Sequence, residues 1–265
     1  MAGDFRFHLE TAGSPRNPAV VALHGFMGTG ADWSTVMAAL AGERYGLAPD
    51  LPGHGKTRGP EGAGSWRMEQ VAAALALELA RRGIAQTDLI GYSMGGRLGL
   101  HLALHCRARV RRLVLESASP GLSDGDERIA RRRQDDTLAR RLETEPLERF
   151  LRDWYDQPMF AGLKRVPEEF AGMLERRRAQ DGGALARALR EMGTGAQEPQ
   201  WDRLADAPPT LLIVGAEDAK FREIAARMAE RMPGARVATV AGAGHAVHVE
   251  QPARFVELVQ EFLSG

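Results

Sequence analysis

The residues best placed to do chemistry together are Gly91-Tyr92-Ser93-Met94-Gly95-Gly96-Arg97, where a short apolar run, Asp88-Leu89-Ile90, gives way to a long apolar stretch. Glycines flanking Tyr92-Ser93-Met94 permit a strand-to-helix turn too sharp for side chains at those two positions. Such a turn lifts the serine hydroxyl above the sheet edge, at the positive end of the following helix. A serine hydroxyl is a poor base or nucleophile until an imidazole shares its proton and a carboxylate orients that imidazole.

On this arrangement the acid and then the histidine follow the serine in the chain, each at the end of a strand. Leu212-Ile213-Val214-Gly215-Ala216-Glu217-Asp218 ends an apolar run in two acids. Asp218 is the expected triad acid because it lies further out on the loop, with Glu217 as its competitor. Ala241-Gly242-Ala243-Gly244-His245 supplies the expected histidine. His248 competes with it and is read as a surface or supporting residue. A His245-x-x-His248 metal pair has no third ligand placed beside it, so no metal is expected. Two backbone N–H groups must converge on any developing oxyanion. They are assigned to Met94, directly after the serine, and to Phe26, in the loop after His24-Gly25, where Gly25 and Gly28 allow close approach. His24 and His54 are read as structural, and Cys106, in the helix after the elbow, as a small core residue.

These residues need a frame to hold them. The 265-residue chain is long enough for one substantial core and is read as a single domain over 1–265. Phe5 to Thr11 alternates like an antiparallel opening strand, and Ala19 to Leu23 is a short buried run. Trp33–Leu40 then reads as helix, Tyr45–Pro49 as strand, Met68–Arg82 as an amphipathic helix, Leu89–Tyr92 as strand, Met94–Cys106 as helix and Arg112–Glu116 as strand. The order resumes with strand Thr210–Val214, helix Phe221–Met232, strand Arg236–Val240 and a last helix over about 253–263. Such alternation implies an α/β fold with a mostly parallel, doubly wound sheet, and the elbow makes it an α/β-hydrolase fold. Leu98, Leu100, Leu102 and Leu104 alternate as in a strand, but a helix buried on several sides need not show one apolar face. Residues 121–200 lack strand signals. There Leu138, Leu142, Leu147, Phe150, Leu151 and Trp154 recur at helical spacing, which predicts a helical cap able to roof the serine.

Composition narrows the class of partner. With 35 basic and 35 acidic residues the charges balance, which argues against broad attraction to nucleic acid or an anionic membrane. The first dozen residues show no signal-peptide core, no stretch reaches membrane-spanning length, and a lone cysteine suits a reducing compartment; cytoplasmic location is the expectation. Oligomeric state has no signature. Arg97 is the sharper clue. It lies one helical turn after Ser93, on the same face, where a cation opposes the helix dipole at about 0.3–1 kcal/mol. It reads either as a clamp for a substrate carboxylate or as the partner of an acid in the cap. Arg128, Arg131, Arg132 and Arg133, then Arg176, Arg177 and Arg178, add cations that mostly read as solvated helix faces. Trp154-Tyr155 reads as an aromatic wall or as ordinary cap core.

Nearly the whole chain resembles a known family. The matching stretches are His24-Gly25-Phe26-Met27-Gly28, Asp50-Leu51-Pro52-Gly53-His54-Gly55, the elbow through Arg97, Glu116-Ser117-Ala118-Ser119-Pro120-Gly121-Leu122, and Arg128-x-x-Arg131. They continue in Asp153-Trp154-Tyr155-x-Gln157-Pro158-x-Phe160, Gly193-Thr194-Gly195, Asp218-Ala219-Lys220-Phe221 and Gly244-His245. These resemble the MenH family of menaquinone biosynthesis, the 2-succinyl-6-hydroxy-2,4-cyclohexadiene-1-carboxylate synthases. The resemblance implies a lyase that expels pyruvate from a small tricarboxylate substrate without a cofactor, with Ser93, Asp218 and His245 as catalytic residues. It implies that Arg97, Arg131 and Arg177 hold carboxylates and that Tyr92 and Trp154 line the pocket. A serine hydrolase acting on an acidic ester or diketone, or a non-catalytic ligand-binding relative, would carry the same elbow.

Overall fold

The computed structural model describes residues 5–60 and 64–265; Met1 to Asp4, within the stretch read for a signal core, lie outside it. A seven-stranded sheet forms the centre, built from β1 (Leu9–Ala12), β2 (Ala19–Leu23), β3 (Tyr45–Pro49), β4 (Thr87–Tyr92), β5 (Val110–Glu116), β6 (Thr210–Gly215) and β7 (Arg236–Val240). Their spatial order is β1-β3-β2-β4-β5-β6-β7. Only β1 runs antiparallel to its neighbour, and every other pairing is parallel.

Central strands of a parallel sheet are buried on both faces, which accounts for their unbroken apolar runs. Alternate side chains serve two cores. Val21, Leu23, Leu89, Leu113 and Leu212 pack against α2 (Met68–Arg81) and α3 (Met94–His105), with α1 (Ser34–Leu40) on the opposite face. That opposite core takes Val20, Ala22, Ile90, Val114 and Ile213. The four alternating leucines lie in α3, where residues 94–104 are all buried, so no polar face exists for periodicity to reveal.

Between β5 and β6 the chain leaves the sheet to build a helical roof: α4 (Gly125–Thr144), α5 (Leu147–Tyr155), a 3-10 segment Pro158–Arg165, α6 (Pro167–Arg178) and α7 (Gly182–Met192). The roof has its own apolar cluster, including Ala139, Leu142, Phe150, Leu151, Leu185 and Leu189, which also takes in Met27 and Ala246 from the sheet side. The chain returns through β6, α8 (Ala219–Ala229), β7, the four-residue α9 (Val247–Glu250) and α10 (Pro252–Ser264). No helix among the described residues is long and apolar enough to cross a membrane.

Several expected boundaries move: β4 and β5 begin earlier, at Thr87 and Val110, and α8 runs over Ala219–Ala229 instead of Phe221–Met232. Two other shifts have a visible cause. The opening strand is shorter than 5–11, because the backbone of residues 6–8 bonds to loop residues instead: Arg6 bridges Arg58, and the His8 N–H donates to Thr57 Oγ1 at 2.9 Å. The helix expected from Trp33 begins at Ser34, after a 3-10 turn over Gly30–Trp33 in which Asp32 accepts from the Thr29 N–H at 3.1 Å.

Candidate active site

Ser93 joins β4 to α3 with φ 49° and ψ −108°. A non-glycine residue at positive φ costs about 1–3 kcal/mol and persists only where its surroundings enforce it. Here the Ser93 N–H donates to Glu116 O at 2.9 Å, and Ser93 O accepts from the Arg97 N–H at 3.0 Å. The flanking glycines are required by crowding rather than by their own dihedrals. A Cβ on Gly95 would sit 2.5 Å from His24 O, and one on Gly91 would sit 2.6 Å from Gly96 Cα. Because the obstacles are backbone atoms that cannot rotate away, Gly95→Ala should cost about 1–3 kcal/mol, read as a lower urea midpoint with an unchanged m-value.

His245 Nε2 lies 3.2 Å from Ser93 Oγ, and His245 Nδ1 lies 2.7 Å from Asp218 Oδ2. An ionised carboxylate only accepts, so Nδ1 carries the proton and Nε2 presents its lone pair to the serine hydroxyl. The second Asp218 oxygen accepts from the Phe221 N–H at 3.3 Å at the start of α8, which fixes the carboxylate plane. Glu217, the competing acid, turns out to Arg165 at 3.0 Å. His248 is buried rather than at the surface: its Nδ1 is 2.8 Å from Glu116 Oε2, and its ring stacks on Trp33. His245 and His248 thus face different carboxylates and do not converge on a common ligand.

Gly25 brings the loop after β2, which carries Phe26, close to the elbow. A Cβ there would meet the Tyr92 ring at 2.6 Å and Ser93 Cβ at 3.6 Å. The next residue, Phe26, therefore sits beside the serine, and Met94 opens α3, where an N–H has no acceptor within the helix. His24 bonds to backbone on both sides, donating from Nδ1 to Gly25 O at 2.7 Å and accepting at Nε2 from the Leu51 N–H at 2.8 Å. Burial pushes its pKa down, and that of His54 well down, so both rings are neutral.

Above these residues lies a cavity of about 580 Å³. Of the residues singled out in the sequence, Ser93, His245, Phe26, Met94, Tyr92, Arg97, Arg131, Trp154 and Arg177 line it, and Asp218 lies behind His245. Trp154 meets Phe26 edge to face at 5.5 Å, so the aromatic wall spans cap and oxyanion loop.

The three arginines are held differently. Arg97 is buried, and its Nη1 donates to two neutral oxygens, Met192 O at 2.9 Å and Gln197 Oε1 at 3.2 Å. Among the described residues no carboxylate pairs with it, which removes the cap-acid alternative. Burial, then the charge of Arg131, lower its pKa to about 10 against a smaller opposing pull from Asp135. It remains a cation at neutral pH. Arg131 is half-buried, with Nε on Asp135 at 2.7 Å. Arg177 is buried rather than on a solvated helix face, and it is already paired. It forks onto Asp32 at 2.9 and 2.6 Å, and its Nε contacts Tyr155 Oη at 3.3 Å. Burial works against both charges, but their mutual attraction raises the Arg177 pKa and lowers that of Asp32. Arg176 shares the same carboxylate.

Asp32, Glu116 and Gln197 were not legible as site residues, since each acts through a partner distant in sequence. Gln180 was missed for the same reason: its amide nitrogen donates to Met27 O while its oxygen accepts from the Gly55 N–H, tying the cap to the oxyanion loop.

Known proteins share this architecture. The alpha/beta hydrolase family model matches residues 20–258. A putative 2-succinyl-6-hydroxy-2,4-cyclohexadiene-1-carboxylate synthase from Bacillus subtilis is 36% identical, over 98% of this chain and 95% of its own. The synthase of that name from Klebsiella pneumoniae is 36% identical over 96% of each chain. The solved structure of MenH from S. aureus matches with a TM-score of 0.92 at 30% identity, covering 97% of each chain. This chain belongs to the α/β-hydrolase family and, within it, to the MenH synthases.

Proposed function

We propose that this enzyme is a lyase that eliminates pyruvate from 2-succinyl-5-enolpyruvyl-6-hydroxy-3-cyclohexene-1-carboxylate, giving 2-succinyl-6-hydroxy-2,4-cyclohexadiene-1-carboxylate. The observation that carries this reading is Arg97, a buried cation on the cavity wall held only by neutral oxygens. Burial and the nearby charge of Arg131 make that isolated charge costly in the free protein. A ligand carboxylate offsets such a cost, whereas a neutral ester does not. The substrate bears three carboxylates, and Arg131 and Arg177 line the same cavity with charges already shared with Asp135 and Asp32.

In this reading Ser93 is a general base rather than a nucleophile. His245 Nε2 takes the hydroxyl proton as Ser93 Oγ removes the ring proton beside the succinyl ketone. The electron pair moves onto the ketone oxygen, where the N–H groups of Phe26 and Met94 stabilise the enolate. Its collapse forms the conjugated ring double bonds and breaks the bond to the enolpyruvyl oxygen. The proton held by His245 returns to the departing group, which leaves as pyruvate. Asp218 orients the imidazole and stabilises its charged form.

The test is to supply the enolpyruvyl substrate and follow pyruvate, with an aryl ester in parallel. Stoichiometric pyruvate without an acyl-enzyme on Ser93 is the expected result. Fast ester turnover with a trapped acyl-Ser93 and no pyruvate would replace the lyase by a serine hydrolase.

A further inference from the structure

Beside the triad lies a carboxylate that the mechanism above does not use. Glu250 ends the short helix α9, and its side chain is buried. Its Oε2 accepts from the Gly244 N–H at 2.8 Å and its Oε1 from the Ala246 N–H at 3.2 Å. The two oxygens thus grip the peptide groups immediately before and after His245. Only an acceptor with two equivalent oxygens does this; a glutamine amide would set its own N–H₂ against one of the backbone donors.

The cap closes over the same carboxylate. Arg165, at the end of the 3-10 segment, sends Nη2 to Glu250 Oε2 at 3.3 Å, to Glu217 Oε2 at 3.0 Å and to Gly242 O at 3.2 Å. One guanidinium of the roof therefore touches the loop that carries the acid and the loop that carries the histidine. The cap backbone lies so close that a Cβ on Gly162 would come within 2.5 Å of Glu250 Cδ.

We propose that Glu250 is the positioning residue of the triad histidine and that Arg165, reaching down from the cap, keeps it ionised and in place. The proposal rests on His245 being the base of the proposed reaction. Burial raises the pKa of Glu250, the bonds from Gly244 and Ala246 and the charge of Arg165 pull it back, and Glu217 pushes it up again. The charged and titratable groups facing it are Arg165 from the cap, Glu217 from the acid loop and Tyr92 from the elbow. Loss of Arg165 removes the cation from this set and leaves Glu217, so the carboxyl gains a proton at higher pH. A protonated Glu250 loses its bidentate grip.

The test compares Glu250→Gln, Arg165→Met, Arg165→Lys and Gly162→Ala with wild type. The first readout needs no substrate: the downfield proton resonance of the His245 Nδ1–H bonded to Asp218, assigned by its loss in His245→Ala. The second is kcat against KM for pyruvate release over about pH 5 to 9. Glu250→Gln should shift or broaden the resonance and lower kcat by about 10–100-fold, with KM within about threefold. Arg165→Met should move the acid limb of kcat upward in pH, with Arg165→Lys restoring most of the original profile, and Gly162→Ala should behave as a weaker Glu250→Gln. If Glu250→Gln fails to fold, the half-exposed Arg165 and its two variants carry the test. An unchanged resonance in Glu250→Gln and Arg165→Met overturns the proposal, whatever happens to kcat. Absence of pyruvate release by wild type would instead remove the proposed function and leave the resonance to decide the positioning role.

Discussion

Ser93→Ala should lower pyruvate release from the enolpyruvyl tricarboxylate by about 10³-fold or more, with the dissociation constant for product within about threefold of wild type. The hydroxyl is the only group between His245 Nε2 and the reacting carbon in the proposed mechanism, and the 3.2 Å contact makes it the proton relay. Alanine keeps the arginines and the oxyanion loop, so binding survives while the chemical step does not. Single-turnover measurement separates the two. A variant that keeps most of its rate would show that His245 or a water acts without the serine, and the elbow would then be an inherited scaffold.

The second large effect concerns Arg97. Arg97→Ala should reduce kcat/KM on the tricarboxylate by about 10–150-fold, the value of a charge-assisted hydrogen bond of 1.5–3 kcal/mol. On a neutral aryl ester the same variant should change within about threefold, because that substrate makes no use of the cation. Thermal stability should hold or rise, since an isolated buried charge that opposes the α3 dipole is removed along with two bonds to neutral oxygens. Equal losses on both substrates would mean that Arg97 holds the α7 end of the cap through Met192 O and takes no part in selection.

Much of the fold was legible in the chain, for identifiable reasons. Parallel strands buried on both faces leave continuous apolar runs, so β3 begins and ends where expected at Tyr45–Pro49; the mostly exposed edge strand β7 also keeps its expected bounds, Arg236–Val240. The elbow was readable because its glycines answer to backbone crowding, a constraint that only one residue type satisfies. Periodicity alone would have misassigned residues 98–104, and the adjacent elbow corrected it. The opening strand was overextended because alternation does not say whether a backbone will find a strand or a loop beside it.

The site was less legible where charge is concerned. The sequence offers no partner for either Arg97 or Arg177, yet one rests on neutral oxygens and the other on a carboxylate 145 positions away. Only the folded pairing separates a cation available to a ligand from one already satisfied. Of the two readings of His248, surface or supporting, only the first fails: the residue is buried, and the Glu116 that receives it lies in β5, 132 positions away.

The placement of the roof has a consequence for how such an enzyme diversifies. One uninterrupted excursion between β5 and β6 brings Arg131, Trp154 and Arg177, whereas the proton-handling groups hang from the ends of three separate strands. Exchange of that single stretch could therefore rewrite what enters the chamber without disturbing the reaction beneath it. Arg97 lies outside that stretch, rooted in α3, so under the proposed function a transplanted roof would keep a carboxylate contact from the floor it covers.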